Sequence, residues 1–163
     1  MRVVAIGSDR VCDSDGERVE PADVVRDLAE EELVLVHDLE AVVAIGAVEE
    51  VAVELADADV VIGAWTFPDE RHGVVERRGV LTLERLRWAN TAGPALLGSG
   101  GALRRSGWGA DGDASLHDLL LRLAESVAGS HVRSVPTVFA HLDRAGAGGT
   151  QLRPAVERHL ART

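Results

Sequence analysis

AVVAIGAVEEVAVELADADVVIGAWT, residues 41–66, is the stretch on which the reading of the fold turns. Two short apolar runs, 42–45 and 60–64, bracket a segment in which Val48, Val51, Ala52 and Leu55 recur at i, i+3, i+4 and i+7. That spacing lays one apolar stripe along a helix over residues 47–56 and leaves Glu49, Glu50 and Glu54 on its wet side. Glu49 and Glu50 also fall in the first turn, where the helix dipole favours acids. A strand, a helix and a strand with so little spacer predict a parallel βαβ unit, whose crossover helix covers the sheet it returns to.

Outward from this unit the elements are shorter. Residues 2–6 make a β-rich run closed by Gly7, Ser8 and Asp9, suited to a strand at the sheet centre. Pro21 opens a helix with Val24, Val25 and Leu28 on its apolar side. Residues 33–36 read as a strand, although a helix running on to Glu40 has the same periodicity. Pro68 is expected to stop the strand that starts at Val60, and an Asp-, Glu-, Arg- and His-rich loop to follow. Thr82 can cap a helix through Asn90, and residues 94–97 can form a strand. The glycines of GSGGALRRSGWGADGD, residues 98–113, predict a long surface loop. Ser115 with Asp118 resembles a capping box for a helix closed by Gly129. Residues 135–142 give a last strand, and Pro154 begins a terminal helix anchored by Val156 and Leu160. The expected architecture is one domain over residues 1–163, a three-layer αβα (Rossmann-like) fold with a largely parallel sheet of about four to six strands.

Composition narrows the partners. Of 163 residues, 17 are Lys or Arg against 27 Asp or Glu, for a formal net charge of −10, and no lysine occurs. An acidic, lysine-free surface suits a salt-adapted (halophilic) microbe, because salt screens carboxylate repulsion. It disfavours nucleic acid, whose phosphates are neutralised by Lys and Arg. The densest arginine group, Arg71, Arg77, Arg78, Arg85 and Arg87, is interleaved with Glu70, Glu76 and Glu84, as in a solvated ion-pair surface. No apolar run approaches the roughly 20 residues of a membrane span, and the start of the chain turns polar too soon for a signal peptide. The expected location is cytoplasmic, with no membrane partner. Cys12 is the one cysteine, stands beside Asp13 and Asp15, and is expected to be inert.

Missing residues exclude chemistry. Without lysine there is no Walker-A lysine and no Schiff base, and without tyrosine no Tyr-Lys reductase pair. No G-x-G-x-x-G follows the first strand. His37, His72, His117, His131, His141 and His159 lack metal-binding spacing and are expected at the surface or at helix ends. The turns at Asp13 to Glu17 and Asp111 to Asp113 lack the twelfth-position glutamate of a calcium loop. No cofactor is indicated, so its identity stays open.

Three functional readings remain. In the first, Gly7, Gly46 and Gly63 stand at strand ends where an open parallel sheet binds ligands. Gly7, Ser8, Gly46, Trp65 and Thr66 would then form the site of a non-catalytic domain for a small nucleotide-like or anionic molecule. In the second, Ser99 in Leu97-Gly98-Ser99-Gly100-Gly101 nearly matches a nucleophile elbow, with Asp111, Asp113 or Asp118 and then His131 or His141 as partners in a small hydrolase. In the third, Trp88 or Trp108 anchors a protein-interaction surface. A small-molecule ligand and a homo-oligomer are the partners compatible with this composition.

Overall fold

The computed structural model describes residues 1–7, 10–53, 58–69, 72–110, 115–127, 131–143, 156–157 and 159–161. Its strands are β1 (Arg2–Ile6), β2 (Val11–Cys12), β3 (Arg18–Val19), β4 (Leu33–Asp38), β5 (Ala41–Val43), β6 (Val60–Asp69), β7 (Gly73–Arg78), β8 (Ala95–Ser99) and β9 (Val132–Leu142). Its helices are α1 (Pro21–Arg26), α2 (Ile45–Val51), α3 (Leu83–Leu86), α4 (Gly100–Ser106) and α5 (Leu116–Ser126). The strands form one nine-stranded sheet in the order β3-β2-β1-β4-β8-β6-β9-β5, with β7 pairing β6 beside this path.

This sheet corrects the largely parallel, Rossmann-like three-layer expectation. Only β1 with β4 and β6 with β9 run parallel; every other neighbouring pair is antiparallel. The decisive stretch forms the expected strand, helix and strand, yet its two strands run in opposite senses. β9 lies between them, antiparallel to β5 and parallel to β6. Periodicity reports which face of a segment is apolar; it carries no information about the distant strand that will separate two neighbours in sequence.

Connectivity makes the sheet curl. Only Leu39 and Glu40 join β4 to β5, and three Cα steps reach at most about 11 Å. In a flat sheet the four strand spacings from β4 to β5 would separate them by about 19 Å. The β5 edge therefore bends back toward β4, giving a half-barrel. Leu35, Val61, Trp65, Leu97, Phe139 and Leu142 fill its concave side with Val48 of α2. The other face packs Val4, Val34, Ile62 and Leu96 against α1, α3, α4 and α5, through side chains such as Val25, Leu86, Leu103 and Leu120. α1, α3, α4 and α5 thus share one face.

Several local expectations change for identifiable reasons. Residues 33–36 do form a strand, β4, and Ser115 does cap α5, its Oγ accepting the Asp118 N–H at 3.1 Å. β6 runs through Pro68 and pairs with β7, where a loop was expected. Past Thr66 no described residue pairs with its β9 side, and an open edge tolerates a residue lacking N–H. The glycine-rich stretch contains the end of β8 and the helix α4. Gly100 is required there because a Cβ would lie 2.0 Å from the Ala29 carbonyl, whereas one on Gly101 would meet only the movable carboxylate of Glu30. Pro154 and Gly129 lie outside the described residues. Leu160 is exposed, and His159 is the buried residue of that last segment.

Candidate functional site

The residues singled out for a crevice are not brought together. Gly7 follows β1 and Trp65 lies in β6; two strands, β4 and β8, stand between, which separates them by about 14 Å across the sheet. Gly46 is exposed in the first turn of α2, a seven-residue helix that follows β5, a strand running the other way. Ser8 lies outside the described residues. Trp65 is 8% exposed and packs on Gly93 in the concave core. Thr66 Oγ1 is hydrogen-bonded to His141 Nδ1 at 2.5 Å, across the β6–β9 pair. Gly63 sits inside β6 and serves packing: a Cβ there would be 2.3 Å from the Phe139 ring.

A cavity of about 590 Å³ opens at the opposite pole of the sheet. The antiparallel pairing of β4 with β8 sets Leu33 against Ser99, and β6 and β9 both start beside them. The chain therefore delivers Asp59, just before β6, and His131, just before β9, to one place. Backbone bonds from Ser99 N–H to Asp59 O at 3.0 Å and from Asp59 N–H to His131 O at 2.8 Å lock this arrangement. One wall is apolar: Leu33, Ala52, Val53 and Ala58. Glu30, Glu31, Asp59, Ser99 and His131 form the polar wall.

Ion pairs hold the polar wall in place. Arg105 reaches Asp59 Oδ1 at 2.8 Å with one nitrogen and Glu30 Oε1 at 3.0 Å with the other. Arg104 pairs with the second Glu30 oxygen and also donates to the Leu28 carbonyl. His131 Nδ1 lies 3.4 Å from Asp59 Oδ2. Glu31 has no ion-pair partner among the described residues. Such half-exposed pairs add little stability, up to about 1 kcal/mol each, but they fix side-chain orientation.

Ser99 occupies a different chemical position from a hydrolase nucleophile. Its Oγ accepts the Ala102 N–H at 3.1 Å as the N-cap of α4, and it lies 3.5 Å from Asp59 Oδ1. His131 meets Asp59, so the carboxylate sits where the general base would have to be. The amide after the serine, which an elbow turns toward the oxyanion, donates from Gly100 to Glu32 O at 2.7 Å. Asp111 and Asp113 lie outside the described residues, and Asp118 is buried against Arg122 on α5.

Other titratable groups are structural. Burial pushes the Asp38 carboxyl above its ordinary range, and the Glu40 charge adds to this; the hydrogen bond from the Glu40 amide and His37 act the other way. The histidines are expected at the surface or at helix ends; His117 does lie in the first turn of α5, but it and His159 are buried. Desolvation lowers the His117 pKa, against its bond to the Leu86 carbonyl and the nearby Asp118 charge. Among the described residues no group of His, Cys, Asp and Glu is arranged to hold a metal, and no helix is long and apolar enough to cross a membrane. Asp13 folds its turn by accepting the Asp15 and Glu17 amides, and Cys12 is buried. Trp108 is 1% exposed in the core, whereas Trp88 is 82% exposed. No family model matches the chain, and no curated protein does either.

Sequence reasoning missed Glu30, Glu31, Val53 and Asp59. Glu30 to Glu32 reads as the solvated end of a helix, and Asp59 as a polar residue before a strand. The signal that unites them is the antiparallel β4–β8 pairing, which is not local.

Proposed function

We propose that the chain is a non-catalytic small-molecule-binding domain whose ligand occupies the cavity between Val53 and Asp59. The observation that carries this reading is the pairing of one apolar and one polar wall around a volume ordinary for small ligands. Ser99 and the Gly100 amide are engaged in capping and backbone bonds, which favours binding over turnover. The nucleotide-like or anionic ligand expected at the strand-end glycines loses its warrant with the parallel sheet, and the cavity's three carboxylates oppose an anion.

A thermal-shift screen of small amphipathic molecules tests the reading, since a ligand selective for the native state raises its melting temperature. Compounds that stabilise the wild-type chain should fail to stabilise Val53→Arg, whose side chain would fill the cavity from an exposed position. Stabilisation undiminished in Val53→Arg, or no stabilising compound at all, would remove it. The exposure of Trp88 favours a second reading, an interaction surface at the end of α3. A dimer lost on Trp88→Ala, measured by light scattering, would support that one.

A further inference from the structure

We infer that the cavity selects a monocationic amphiphile, a primary amine of modest size carrying an apolar chain. This rests on the cavity being a ligand site and names the ligand's chemistry. Around the polar wall three carboxylates, Glu30, Glu31 and Asp59, meet two guanidiniums, Arg104 and Arg105. The arginines are committed to Glu30 and Asp59, and Glu31 has no ion-pair partner among the described residues that line the cavity. An ammonium group is the complement of its charge, and a carboxylate or phosphate would meet repulsion.

The second observation is independent of charge. Val53 is 72% exposed and lines the same cavity with Leu33, Ala52 and Ala58. An apolar side chain left open in a concavity is covered by a ligand's hydrocarbon body, and the hydrophobic gain grows with the area covered. An inorganic cation would leave it bare. The two walls together therefore describe one molecule with a charged head and an apolar tail.

Three probes of equal chain length separate the contributions: hexylammonium, hexanol and hexanoate, titrated at low ionic strength into the full ¹⁵N-labelled chain and followed by amide chemical shifts. Hexylammonium should shift the Leu33, Val53, Asp59 and His131 amides saturably and bind at least about tenfold more tightly than hexanoate. Glu31→Gln should weaken it about fivefold, the scale of one exposed ion pair at close range, while Glu49→Gln, an exposed acid on α2, should leave it unchanged. Hexanoate binding as well as hexylammonium, or Glu31→Gln without effect while the same amides respond, would overturn the charge assignment and leave the cavity as a site. Silence of those amides toward all three probes would overturn the site itself.

Discussion

Desolvation between α5 and α3 pushes the His117 pKa down, with Nε2 bonded to the Leu86 carbonyl and Nδ1 without a partner among the described residues. Its pKa is lower folded than unfolded, so the unfolded chain binds the extra proton more readily. The contribution of His117 to stability is therefore complete above the unfolded value of 6.5 and is lost as pH falls from there through the folded pKa. Urea denaturation between pH 8 and pH 5 should show stability declining, and His117→Phe should flatten part of that decline. An unchanged slope in the variant would assign the decline to other groups. Gly63 presents the steric counterpart. Gly63→Ala drives a methyl into the Phe139 ring and should cost about 1–3 kcal/mol. Combining it with Phe139→Leu should cost less than the two changes added together, because the clash is shared.

At the scale of elements, α4 shows how a helix can be hidden in a loop-like sequence. Ser99 caps it, Gly107 ends it in the left-handed region at φ 64°, and Gly100 admits the backbone of Ala29. Ser99→Ala should cost about 1 kcal/mol by loss of the cap, measured by denaturation. The elements legible in the sequence were those whose reasons are local: Pro21 opening α1, Ser115 capping α5, the β-branched run of β4. Those that were not depend on a distant neighbour. β9 accommodates Pro136 where its pairing with β6 slips, three residues between Ser134 and Val138 facing one between Ile62 and Ala64. The candidate site fell in the same category, since it joins residues from before β4, β6 and β9.

For the molecule as a whole, strand succession was visible and strand adjacency was not. Either direction of β5 and β6 satisfies the same apolar pattern, and what decides between them is β9, about ninety residues downstream of β5 in the chain order. The two-residue link from β4 to β5 then obliges the curl, and the antiparallel β4–β8 pairing sets the open cavity at the pole opposite the one the parallel reading selects. A chain ended at residue 131 should consequently be insoluble when expressed, since it leaves both the β5 segment and one side of β6 without hydrogen-bond partners. Recovery of that truncated chain as a soluble, cooperatively unfolding species would contradict the order of strands described above.

β9 leaves the ribosome only after β5 and β6 have both emerged. Until it emerges, the nascent polypeptide carries a gap in its sheet that nothing already synthesised can close, because the slot between β5 and β6 has one strand-shaped tenant. Quality-control factors that hold exposed strand edges would find their target in this interval, and the time spent translating residues 70 to 131 sets how long it lasts.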